Sequence, residues 1–318
     1  MFLKEAFIYT REYNGFSAAG LLKMIKGEKV KWVVDMQHTP YYYYDDSRRE
    51  DMMLIKKLIY RPLGLIYIIR GRIFLRRADL VSAMSYDYDE GFARIFEREF
   101  SVPREKIFPI PNGVDLKLIE KVKKSEEKCN LNVPDSGVKF VYAGNVRLER
   151  LKMLKEFIET FRERTIDAAL IICGAMPVDS MMSYKKIKTD YFIHMGLVPH
   201  SELLKLYKEV DVVLAFIDGF MRDHDYSHPG KVFEAMAMGK LVVVNNLSSI
   251  GRVVKDGYNG LMFESSNIGE ICDRVFDILS NPEMKKQIEG NAEKSIEFLD
   301  WELIHQKWFS AIQEMLSR

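Results

Sequence analysis

From residue 139 onward the chain alternates short, β-branched apolar runs with segments of helical period, and this alternation limits the fold more than any other feature. The runs are KFVYAG (139–144), AALIICG (168–174), YFIHMG (191–196), DVVLAF (211–216) and LVVVNN (241–246). Such short, nearly continuous apolar runs read as strands buried on both faces. Apolar residues at helical spacing over 148–162, 201–209, 230–238 and 268–279 supply the covering helices. The pattern predicts βαβ units, a parallel sheet and a Rossmann-like domain of the α/β class. Ligands of such sheets bind beyond the carboxyl ends of the strands, so Gly144, Gly174, Gly196 and the loop after Phe216 are expected to line a cleft.

The first half is less regular. AFIYT (6–10) and VKWVVDM (30–36) read as strands around a helix over 16–25. Four tyrosines, 41–44, precede a long helical region up to about residue 77, which Pro62 and Gly64 are expected to divide into two helices. ADLVSAMS (78–85) reads as a further strand, and VPREKIFPIPNGVD (102–115) as a strand leading out of the domain. The Lys- and Glu-rich stretch 117–132 reads as a solvated linker or surface helix.

Composition excludes several classes. The 47 basic and 46 acidic residues nearly cancel, and no basic face carries interleaved aromatic platforms, so nucleic acid is not an expected partner. Cys129, Cys173 and Cys272 are odd in number and not closely paired, which fits a reducing compartment and gives neither a disulfide framework nor a zinc site. Residues 1–10 contain Glu5 and too short an apolar run for a signal peptide. No run approaches the ~20 residues of a membrane span. A cytoplasmic protein is expected.

The stretch YSHPGKVFEAMAMGK (226–240) carries the densest chemistry. Pro229 and Gly239 are ordinary punctuation at the start and end of a helix. Lys231 and Glu234 are not. A helix N-terminus offers unpaired N–H groups and positive potential, Gly230 lets an anion approach them, and Lys231 adds a full charge. Glu234 follows at the i, i+3 spacing on the same face. A diphosphate on the lysine and a ribose diol on the carboxylate would use both residues. An ordinary surface Lys–Glu pair is the competing reading.

IPNGVD (110–115), FVYAGNVRLERLKMLKEFIE (140–159), LIICG (170–174) and IHMGLVPHSELLKLYKEVDVVLAF (193–216) precede HPGKVFEAMAMGKLVVVNN in fixed order. This ordered set resembles the group 1 retaining glycosyltransferases, family 4, strongly after Phe108 and weakly before it. The resemblance implies a GT-B fold of two Rossmann-like domains facing a cleft. It implies an acceptor-side domain over 1–113, a nucleotide-sugar domain over 114–296 and a C-terminal helix over 297–318, with Trp301 and Trp308, crossing back to the first domain. Asn112 and Gly113 match the interdomain turn. Gly144 matches the glycine near the donor phosphates, Arg150 the cation usually held by a lysine, with Arg147 a second candidate, and Leu197 and Val198 the turn against the nucleotide base. Glu234 matches the acid associated with the ribose. The family's first acid falls on Tyr226, and the sequence instead fits the variant Ser-x-Pro-x-Lys-x-x-Glu through Ser227, Pro229, Lys231 and Glu234. Asp223, His224 and Asp225 are then the candidate contacts to the donor sugar, and the ordinary reading is a polar loop.

His38, beyond the strand ending near Asp35, resembles the histidine that related enzymes turn toward the acceptor, where it could orient or deprotonate a hydroxyl. In a front-face route the leaving diphosphate takes that proton, and Lys231 and Arg150 stabilise its charge. No cofactor and no metal site are expected. The implied activity is transfer of a sugar, hexosyltransferase-like, from a nucleotide-diphosphate sugar to a glycan or lipid-linked glycan in polysaccharide or glycoconjugate assembly. Family members place further βα units before the equivalent of AFIYT, so the first domain reads as shortened, and a second chain could supply the missing part. The alternative is a non-catalytic nucleotide-sugar-binding protein or partner subunit. Residues 48–77 hold nine basic and two acidic residues among leucines and isoleucines. The stretch reads either as a surface that lies on an anionic membrane, at the inner face of the cell membrane, or as a core-facing helix pair with a solvated basic side.

Overall fold

The computed structural model describes residues 5–12, 14–46, 48, 54–135, 137–165, 167–216, 228–246, 249–264 and 267–317. Its contacts divide the chain into two units: Met1–Asn112 with Gly219–His228 and Trp301–Arg318, and Gly113–Asp218 with Pro229–Asp300.

The first unit holds β1 (Ala6–Arg11), α1 (Phe16–Lys26), β2 (Val30–Met36), α2 (Tyr42–Asp46), α3 (Leu54–Phe74), β3 (Leu80–Ala83), α4 (Gly91–Phe100) and β4 (Ile107–Pro109). The strands form a four-stranded parallel sheet in the order β1-β2-β3-β4. Side chains alternate across it. Trp32, Val34, Met36, Val81 and Ala83 pack in one core with Phe16, Ile68, Phe74, Phe92 and Phe96 of the intervening helices. Val33 and Leu80 lie in a second cluster with Trp308 and Met315 of the C-terminal helix, Trp301–Ser317. The Lys23 ammonium is buried and donates to Asp79 Oδ1 at 2.7 Å and to the Val30 carbonyl at 2.8 Å, tying α1 to the sheet.

The structure corrects the expectation of two helices around Pro62. α3 runs unbroken over Leu54–Phe74 with Pro62 inside it. Proline removes one N–H, but Pro62 lies on the exposed side, where the orphaned carbonyl of the preceding turn can reach water. Two residues on, Gly64 fits against the backbone of α2: a Cβ there would stand 2.4 Å from the Tyr44 nitrogen. The core-facing reading of this stretch holds for one side of the helix only. Gly64, Ile68, Gly71 and Phe74 are buried, whereas the leucines and isoleucines on the opposite side are exposed.

The second unit contains α5 (Leu116–Lys124), β5 (Val138–Ala143), α6 (Leu148–Arg162), β6 (Ala168–Cys173), α7 (Val178–Ile187), β7 (Phe192–Gly196), α8 (His200–Glu209), β8 (Val212–Ala215), α9 (Gly230–Ala237), β9 (Leu241–Asn245), β10 (Leu261–Phe263), α10 (Ile268–Leu279) and α11 (Pro282–Ser295). The last helix of the chain, Trp301–Ser317, is α12. The lysine-rich stretch after the interdomain turn is the helix α5, which Asp115 caps by accepting from the Leu118 N–H at 2.9 Å. The six strands are all parallel, in the order β10-β9-β8-β5-β6-β7. Phe140, Tyr142, Leu170, Ile172, Val212 and Leu214 pack in one core with α6 and α10. The alternate residues Val141, Ile171, Val213 and Val242 are equally buried, on the side where α8 meets β5 and α9 meets β8 and β9. The strand order reverses between β5 and β8, the point at which doubly wound sheets open a crevice.

Candidate donor site

The neighbouring strands β5, β6 and β7 end in the sequence-predicted glycines, and their ends interlock. Gly144 N–H donates to the Cys173 carbonyl at 2.8 Å, and Gly174 N–H donates to the Gly196 carbonyl at 2.7 Å. Gly174 has φ 145°, and a Cβ on it would lie 2.0 Å from the Gly144 carbonyl oxygen, so only glycine fits. Above Gly144 the space is taken by a cation: a Cβ there would stand 3.2 Å from Lys231 Nζ.

Lys231 reaches that point from the first turn of α9, which begins at Gly230 directly after Pro229. Its ammonium lies 4.0 Å from the centroid of the Tyr142 ring, a cation–π contact. Tyr142 is buried at the end of β5, and its hydroxyl accepts from Arg150 Nη1 at 2.9 Å. Arg150 also donates to the Asn145 carbonyl at 2.6 Å. Two of the predicted cations therefore converge on one aromatic side chain beside Gly144. Arg147, half-buried, occupies the N-cap position of α6.

Glu234 lies one turn along α9, where its Oε1 is 2.8 Å from His200 Nε2. The pair is open to solvent, with His200 55% and Glu234 22% exposed. His200 opens α8 directly after the turn that holds Leu197, which is exposed, and Val198, which is half-buried. Sequence reasoning passed over both Tyr142 and His200. For Tyr142 the signal was its place two residues before the first strand-end glycine. For His200 only adjacency to the Leu197 turn was available, because the two members of the pair are 34 positions apart.

The other predicted residues lie elsewhere. His38 belongs to the first unit, exposed two residues beyond β2, with its ring 4.4 Å from that of Tyr42. Asp223, His224 and Asp225, with Tyr226 and Ser227, lie outside the described residues. His228, next in sequence, is buried and stacked on Tyr86 at 4.1 Å between ring centroids. Its Nδ1 accepts from the Asn112 N–H at 3.3 Å, and its carbonyl accepts from Asn112 Nδ2 at 2.8 Å, so the predicted Pro-Asn-Gly turn is fastened to it. Burial lowers the His228 pKa to about 3, which keeps the ring neutral.

Among the described residues no group of three or more His, Cys, Asp or Glu is placed to hold a metal ion. Burial pushes the Cys173 and Cys272 thiols up to about 12, so neither offers a thiolate nucleophile at neutral pH.

Comparison with known proteins bears on the same region. Residues 137–281 match the model of the family described as Glycosyl transferases group 1. The N,N'-diacetylbacillosaminyl-diphospho-undecaprenol alpha-1,3-N-acetylgalactosaminyltransferase of Campylobacter jejuni is 21% identical over 229 residues, 70% of this chain and 58% of that protein. Among solved structures, the sucrose-phosphate synthase of Thermosynechococcus elongatus superposes with a TM-score of 0.68 at 16% identity, over 98% of this chain and 74% of its own. HepE of Anabaena, in complex with UDP-glucose, gives 0.66 at 16% identity over 97% and 78%. The chain spans 34% to 58% of the length of the first three curated glycosyltransferases it matches. Both units are parallel-sheet α/β structures of the GT-B kind, and the second is the one whose residues 137–281 resemble the glycosyl transferases group 1.

Proposed function

We propose that the protein is a glycosyltransferase that moves a sugar, with retention, from a nucleotide-diphosphate sugar to a glycan or lipid-linked glycan. The observation that carries the reading is Lys231 Nζ held over Gly144 at the carboxyl end of β5, beside the point where the strand order reverses. A diphosphate seated there meets the ammonium, the first turn of α9 and the glycine backbone. When the donor binds, Lys231 exchanges the Tyr142 ring for phosphate oxygens, and with Arg150 it stabilises the charge that develops on the leaving group. Glu234, held by His200, accepts from the ribose hydroxyls. Leu197 and Val198 sit against the base, and Gly230 gives the phosphates access. The loop with Asp223, His224 and Asp225 contacts the sugar. The first unit takes the acceptor, with His38 facing the reacting hydroxyl. The leaving diphosphate removes the acceptor proton, so neither a cofactor nor a metal is given a role.

Support at the level of the donor comes from the family match and from the UDP-glucose complex of HepE. Support for a lipid-linked acceptor comes from the Campylobacter relative, whose name specifies a diphospho-undecaprenol substrate. The reading locates the protein in the cytoplasm, at the inner face of the membrane where such acceptors are extended. A second reading, nucleotide-sugar binding without turnover unless a further chain completes the site, is favoured by Tyr226 where family members place their first acid.

The test is release of nucleoside diphosphate from a panel of UDP-, GDP- and ADP-sugars, with and without membrane extract as acceptor. The expected result is turnover with one donor that falls about 100-fold or more in Lys231→Ala, the usual scale for removing a group that stabilises transition-state charge. Saturable binding with no turnover establishes the second reading. A folded chain that binds none of the donors overturns the donor site.

A further inference from the structure

We infer that α3 is a membrane-docking helix that lies in the surface of an anionic bilayer. At 100° per residue, Leu54, Leu58, Leu65 and Ile69 form one row along the helix. Ile55, Ile59, Ile66 and Ile73 form the row beside it. Together they span an arc of about 140°. A stripe this wide normally faces the core. Here it faces outward: all of its members are exposed, from 75% at Leu54 to 39% at Ile73, while the helix packs through Gly64, Ile68, Gly71 and Phe74 on its other side. α1, which meets α3 through Gly20 and Phe74, presents Leu21, Met24 and Ile25 as further exposed apolar side chains.

Charge selects the occupant. Arg61 and Arg72 follow one margin of the arc and Lys56 and Arg70 the other, and residues 54–77 contain seven basic and no acidic side chains. An apolar stripe bordered on both sides by cations matches the layered chemistry of a lipid surface, acyl chains beneath and phosphate headgroups beside. A second copy of the same helix would instead bring like charges together along both margins. Among the described residues no helix is long and apolar enough to cross a membrane, so α3 rests along the surface. The inference stands on the geometry of the first unit and does not depend on the proposed transferase activity.

The test uses the full chain in co-sedimentation with vesicles of phosphatidylcholine alone and of equimolar phosphatidylcholine and phosphatidylglycerol. Capture by the mixed vesicles, weakened by salt and poor on the neutral ones, is expected. Replacing exposed apolar residues, Leu58→Ser with Ile66→Ser, should weaken capture about tenfold or more. Lys56→Gln with Arg61→Gln should cost about fivefold per charge removed. Circular dichroism checks that each variant is folded, and if the apolar variant does not fold, the charge variant decides alone. Absence of capture, equal capture by both kinds of vesicle, or unchanged capture of the folded variants overturns the inference. So does a dimer in vesicle-free solution that the apolar variant dissolves while vesicles capture nothing.

Discussion

In the second unit the strand order runs outward in both directions from β5 and β8, whereas in the first it runs one way, from β1 to β4. Parallel strands joined by right-handed crossovers put their helices on one face for as long as the order advances in one direction, and on the other face once it reverses. The second unit therefore covers both faces of its sheet with the helices between its own strands. The first unit places α1, α3 and α4 on one face and covers Val33 and Leu80 on the other with α12, from the far end of the chain. Similar βαβ parts cover both faces of their own sheet in one topology and need a helix from the far end of the chain in the other.

Each sheet has its own core, so damage to one should leave the other intact. Gly174→Ala drives a Cβ into the Gly144 carbonyl at the edge of the second unit. A loss of roughly 3 kcal/mol is expected from the strained glycine position and the displaced strand end. In denaturant titration followed by hydrogen exchange, protection should fall in β5 and β6 and persist in β2. A wild-type midpoint would show that the Gly144–Gly174 fit is not what holds the strand ends.

In the first unit a smaller effect is expected from a buried histidine. His228 is neutral in the fold, with a pKa lowered from 6.5 to about 3 by burial. Above pH 6.5 neither folded nor unfolded chain protonates it, and its contribution to stability is complete. As the pH falls toward 3 the unfolded chain takes up a proton that the folded chain does not, and stability drops by up to about 1.4 kcal/mol per pH unit. His228→Phe retains a ring against Tyr86 and should remove that part of the slope between pH 6 and 4 when unfolding is followed by fluorescence. An unchanged slope would refute the buried neutral ring.

The smallest expected effect lies at the open pair in the donor site. His200→Ala releases Glu234 from a largely solvated contact, which is worth no more than about 1 kcal/mol. Calorimetric titration should show UDP binding weakened by up to about fivefold, with less loss for a nucleotide lacking ribose hydroxyls. Equal losses for both nucleotides would mean that Glu234 does not hold the ribose.

Much of this was legible in residue order. Helices α6 and α10 occupy the predicted spans, and β5 to β9 match the predicted runs to within a residue at each end, because buried parallel strands are written as continuous β-branched runs. Other elements gave weaker signals: α4, α7, α11 and the three-residue β10 were not anticipated. The error at α3 is the informative one. The sequence shows basic and apolar residues interleaved over 48–77, yet a helical stripe has the same period whether it meets a core, a membrane or water.

Sequence by itself determined the α/β class, the strand-end glycines and the placing of Lys231 and Glu234 on one short helix, since each depends on local spacing and backbone freedom. Tertiary structure alone decided that Lys231 and Arg150 share Tyr142, that His200 meets Glu234 across 34 positions, and that Asn112 is fastened to His228 across 116. It also decided that the apolar face of α3 points outward. Such outcomes follow from which strand lies beside which and from the side on which each crossover passes, and no local pattern carries that information.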